Sequence, residues 1–218
     1  MLGIRVTVPI ACFRKGLARE YLETEALPPP STCFGFLLSL VGEERRARHV
    51  GCRVAPVLLN EPDQSVVLRT VWRVKKTPLG SAGNTRPDFQ QLLSPVELVI
   101  WIDSTGEPAG MENLEARVSR ALQHPEVIDR FGGLSLGEST HLVDEVQVLD
   151  RYLASQAYAR RHPLEGRAFL LADRGRLTLP VWVDHLGSSG TRYVTGNLVP
   201  HWPIERPPDV ADMPQITP

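Results

Sequence analysis

Four side chains could carry acid–base chemistry at a phosphate: Tyr21, His49, Lys75 and His141. Cleaving RNA through its own 2′-hydroxyl needs a general base, a general acid and a cation beside the phosphate, and these residue types fill those roles. They do not fall into one spaced motif, and His49 lies in a charged stretch, Glu43 to His49, that reads as the exposed end of a helix and a turn. The expectation is a non-catalytic protein, with a metal-independent endoribonuclease as the alternative. His49 and Cys52 have HxxC spacing, but no second close pair accompanies them, so neither a metal site nor a cofactor is expected.

More residues suit phosphate binding without chemistry. Arg14, Lys15 and Arg19 stand in the first loop and can neutralise phosphates; a solvated loop is the competing reading. Tyr21 either stacks on an unpaired base or packs beside Leu22. Arg69, Arg73, Lys75, Lys76 and Arg86 form the densest basic cluster, with no acidic residue between Arg69 and Arg86, which favours nucleic acid over a solvated strand edge. Ser31 and Thr32 follow three prolines and are predicted to cap the next helix, where free N–H groups and the dipole suit a phosphate. A capped core helix with no ligand is the bland reading. Gly132, Gly133 and Gly137 either let backbone approach a nucleotide or simply turn the chain.

The elements that must position these groups follow from periodicity. Leu2, Ile4, Val6 and Val8 alternate with Gly3, Arg5 and Thr7, which predicts a strand ending at Pro9. Phe34, Leu37, Leu38 and Val41 recur at helical spacing, and Gly42 suits a helix stop. Strands are predicted over 53–59, 66–74, 96–102, 143–149, 169–172, 177–183 and 192–198, and a second helix over 113–124. The polar Gly/Pro-rich run from Lys75 to Asn84 reads as an excursion from the core. The division expected is residues 1–150, with a protruding thumb at about 73–95, then a small β portion over 151–199 and a Pro-rich tail over 200–218, extended and either packed on a partner or mobile.

Composition sets bounds. The 218 residues, 42% of them hydrophobic, allow a sizeable core, and no apolar run is long enough to cross a membrane. Three cysteines without CxxC spacing read as buried thiols in a reducing compartment, so a cytoplasmic protein is expected. Net charge is −1, which argues against binding nucleic acid by bulk charge. The distribution is uneven: residues 1–100 carry 13 lysines and arginines against 9 acids, and the remainder carries 11 against 16.

The ordered set "PPPSTCFGFLLSLVGE", the basic strand from Arg69 to Lys76 followed by "TRPDFQQLLSPVELVIWID", and "RFGGLSLGEST" from Arg130 to Thr140 resembles the CRISPR-associated Cas-five family, in wording most similar to its type I-B branch. Related branches include transposon-associated systems as well as antiviral defence. The resemblance covers nearly the whole chain and implies an α+β fold: a ferredoxin-like, RNA-recognition-type (RAMP) core with an inserted hairpin thumb. It implies a subunit of the type I Cascade complex that holds the 5′ handle of the guide RNA (crRNA) and touches the first Cas-seven backbone subunit and the large subunit, with target DNA met only indirectly. Some members cut the transcript with a tyrosine, lysine and histidine set; most leave cutting to a Cas-six subunit. A general α+β protein-interaction module is the remaining alternative.

Overall fold

The computed structural model describes residues 1–16, 18, 21–72, 78, 80–156, 164–186 and 188–218. Ten strands and three α-helices occur among them: β1 (Leu2–Val8), β2 (Tyr21–Leu22), α1 (Pro30–Leu40), β3 (Arg53–Leu58), β4 (Asp63–Trp72), β5 (Thr85–Ser94), β6 (Val96–Asp103), α2 (Leu114–Gln123), β7 (Glu145–Val148), α3 (Leu149–Gln156), β8 (Glu165–Leu171), β9 (Leu177–Trp182) and β10 (Arg192–Pro203). None of the helices is long and apolar enough to cross a membrane among the described residues.

A seven-stranded sheet runs in the order β7-β1-β6-β3-β8-β10-β9, and every neighbouring pair in it is antiparallel. Alternation decides which side chains go where. Ile4, Val6 and Val8 pair with Ile100, Leu98 and Val96 and point into one core with α1 and α2. Val99 and Trp101 point the other way, into a second core shared with Leu149, Ile204 and Met213. Both faces of the sheet are therefore covered.

Helix α1 is framed by backbone chemistry. Pro30 sits in its first turn, where a missing N–H costs nothing. The N–H of Glu43 donates to the Leu38 carbonyl and that of Gly42 to Ser39, a Schellman ending that requires the left-handed φ of +64° found at Gly42. A Cβ at Gly42 would also lie 2.2 Å from the Asp129 carbonyl oxygen. Helix α2 starts one residue later than its apolar spacing suggests, with Asn113 as its cap, the side chain accepting from the Ala116 N–H at 2.9 Å.

Three expectations change. The excursion opens at Asp63, not near residue 73: β4 pairs with β5 from Asp63↔Ser94 to Trp72↔Thr85, and with β2 they form a separate three-stranded sheet. Strands β8, β10 and β9 continue the main sheet past β3, because apolar faces on Phe169 and Leu179 join the α1 core. The Pro-rich tail packs on its own domain: the N–H groups of Gly51 and Val54 donate to the Ile216 and Pro214 carbonyls, that of Ile216 donates to the Cys52 carbonyl, and Met213 and Ile216 are buried.

Candidate nucleic-acid interface

The exposed side of α1 forms the floor of a groove. Gly35 and Ser39 lie along it, and Arg46, Val183 and His185 wall one side. The chain from Asp129 to Gly137 walls the other side. Two cavities of about 390 and 300 Å³ share Gly35, Ser39, Arg46 and His185, so they are one continuous trough. Gly35 is the telling residue. Glycine inside a helix costs about 1 kcal/mol against alanine, yet a Cβ at Gly35 would meet nothing within 4 Å. Folding does not need the glycine; an open groove floor does.

Charge is held in place on one wall. The Arg46 guanidinium donates to the Val183 carbonyl at 3.0 Å and lies 4.4 Å over the Trp182 ring, which fixes the cation at the rim. Arg130 is exposed and makes no ion pair among the described residues. These groups, with His185 and Phe131, were not among the residues singled out from sequence. Arg46 sits in a stretch that reads as solvated, and Arg130 and Phe131 directly precede Gly132 and Gly133; adjacency to that run was the available signal.

Ser31 and Thr32 do line the groove, but as first-turn residues. The cap position is Pro29, whose side chain has no acceptor, so no side chain caps the helix. Gly137 lines the same end, with φ at +104° and a virtual Cβ 2.8 Å from the Cys12 carbonyl oxygen. That close approach is made by two backbone N–H groups, of Cys12 at 3.1 Å and Glu138 at 3.2 Å, both donating to His141 Nδ1. His141 thus staples the glycine loop to the chain after β1. Burial, with Arg69 adding to it, pushes its pKa below the ordinary 6.5 against the pull of Glu138. At Gly133 a Cβ would approach Leu142 at 3.1 Å.

The remaining predicted residues scatter. Arg69 is paired, donating to Gln90 and, at 2.9 Å, to Glu138 of the glycine loop. Arg86 stands 3.5 Å from Asp88 on β5. Arg14 is exposed and donates to the Ala18 carbonyl, and Lys15 is half-buried beside the β2 segment. Arg19, Arg73, Lys75 and Lys76 lie outside the described residues.

The acid–base candidates are not assembled either. His49 is fully buried, not in an exposed turn. Its Nδ1 contacts Glu107 Oε2 at 2.6 Å and its Nε2 contacts Arg117 at 2.8 Å. Arginine can only donate, so Nε2 accepts and Nδ1 carries the proton. Tyr21 lies on β2, its hydroxyl accepting from Gln91 at 3.2 Å and its ring tilted against Phe89. All three cysteines are buried free thiols, and burial raises the pKa of each.

No protein-family model matches the chain. A curated relative, CRISPR-associated protein Cas5 of Myxococcus xanthus (strain DK1622), is 50% identical over 218 residues, covering 99% of this chain and 97% of the relative. The chain belongs to the Cas-five family. Two solved structures share its fold. A CRISPR RNA-guided surveillance complex contains a chain that superposes with a TM-score of 0.61 at 16% identity, over 92% of this chain and 89% of its own. A Cas protein crystal structure gives 0.54 at 16% identity, over 96% and 98%. For this Cas-five chain the groove along α1 is the site whose form the packing does not explain.

Proposed function

We propose that the chain is a non-catalytic subunit of a type I CRISPR effector complex, Cascade, and that its α1 groove grips the 5′ handle of the guide RNA. One observation carries the reading: a helix-interior glycine, without steric need, keeps open a trough walled by fixed and free cations. The order β1-α1-β3-β6-α2-β7, with sheet order β7-β1-β6-β3, supports a ferredoxin-like core. RNA-recognition domains of that type stack bases on the open sheet face. Here α3, Ile204 and Met213 cover that face, which supports a binding site on the helix side. The type I-B-like assignment rests on the wording of the N-terminal motif, and a cytoplasmic setting fits the free buried thiols.

The β4–β5 hairpin is assigned to the neighbouring subunits. Val66, Leu68 and Phe89 share one face with Tyr21, and all four are exposed. That face carries no charge to meet phosphate, so a protein surface, the first Cas-seven backbone subunit, suits it. The large subunit takes the acidic remainder. Target DNA is read by base pairing to the guide.

The test uses labelled CRISPR repeat RNA from the protein's own locus and the isolated full chain in EDTA. Binding without cleavage is expected. Gly35→Glu, at a site with room for the side chain, should abolish binding with the fold intact, whereas Gly35→Ala should retain it. A discrete cut at the handle boundary would instead make the chain a processing endoribonuclease. Unchanged binding by Gly35→Glu would remove the groove from the RNA path.

A further inference from the structure

The two ends of the groove differ in chemistry. At the Ser31 end the lining holds four hydroxyl side chains, Ser31, Thr32, Ser39 and Ser135, with Arg46 and His185 and no carboxylate. At the other end Glu43, Glu44 and Asp129 join Arg130 and Phe131. Glu43 is engaged by Arg48 and Arg117. Glu44 and Asp129 are exposed and make no ion pair with any described residue.

Phe131 is 103% exposed. Its ring is not covered by any described residue, so the fold gains no burial from it. It stands beside Gly132, whose φ of +76° marks a turn open to glycine. Phe131 is among the residues that line the cavity of about 390 Å³. Carboxylates repel phosphate but accept hydrogen bonds from exocyclic amino groups. An aromatic face stacks on any unpaired base.

We infer that the Phe131 end of the groove is a pocket for one unpaired nucleobase, stacked on Phe131, with Glu44 and Asp129 accepting from its exocyclic amino group. The Ser31 end then holds the adjoining phosphates. Adenine, cytosine and guanine carry the amino group and uracil does not, so the pocket discriminates against uridine. This rests on the proposed reading of the groove as an RNA site and adds a specificity to it.

Fluorescence anisotropy with labelled single-stranded oligo(A), oligo(C) and oligo(U), each of about eight nucleotides, a length within single-strand site sizes, tests it on the full chain. The parent protein should bind oligo(A) and oligo(C) more tightly than oligo(U). Phe131→Ala should weaken binding roughly 5- to 150-fold, the worth of one stacked base, and Phe131→Tyr should restore it. The pair Glu44→Ala and Asp129→Ala, which removes both acceptors, should erase the preference over oligo(U). If Gly35→Glu abolishes binding while Phe131→Ala changes nothing, the groove binds RNA and the base pocket is wrong. If Phe131→Ala spares every RNA affinity but weakens assembly with partner subunits, Phe131 is a protein contact and the inference falls. If no oligonucleotide binds, the reading of the groove falls and takes the pocket with it.

Discussion

His49 shows how much depends on single contacts. It joins the Arg117 guanidinium of α2, which also bonds Glu43 and the Val41 carbonyl, to Glu107, which accepts from the Leu114 N–H. One buried ring thus ties the end of α1 to the start of α2. His49→Leu should destabilise the fold by about 1–3 kcal/mol for each partner left unsatisfied, read as a lower urea midpoint with an unchanged m-value. His141 predicts a pH effect. Its folded pKa is depressed, chiefly by burial, so the unfolded chain binds a proton more readily. The stability it contributes is complete above the ordinary value of 6.5 and falls as pH drops from there through the lower folded value. His141→Gln should flatten the stability profile in that window, measured by urea unfolding at a series of pH values. A profile no flatter than that of the parent would deny the staple its titration.

At the scale of elements, the hairpin and the glycine loop are coupled through Arg69 and Glu138. Burial alone would raise the Glu138 pKa, but hydrogen bonds from Arg69 and Gln90 bring it below the usual carboxylate value. The bridge is half-exposed, so its net worth is small, within about 1 kcal/mol. Its effect is therefore local order. Arg69→Glu should speed amide exchange over residues 132–140 with little change in the global midpoint, and the swap Arg69→Glu with Glu138→Arg should restore protection. Unaltered exchange in the single variant would mean the loop is held by His141 alone. Arg69 read from sequence was an RNA contact; in the fold its charge is already answered by an acid 69 residues away in the chain.

Across the whole molecule, the last residues complete the fold. Ile216 is fully buried in the α1 core and Met213 in the core beneath α3, so one segment seals both faces of the sheet. Ile216→Ala should cost about 2–5 kcal/mol, again by urea unfolding; a cost under about 1 kcal/mol would show the tail to be dispensable. Local chemistry made β1, α1 and its Gly42 stop, β3, β6 and α2 legible in advance, because alternation and helical spacing act over a few residues. The tail's docking, the burial of His49 and the pairing of Arg69 depend on partners tens of residues distant, which no local pattern encodes. So does the groove: Gly35, Arg46, Phe131 and His185 come from four separate stretches. They become a site only when the main sheet packs against α1 and brings the glycine loop and the end of β9 to either side of it.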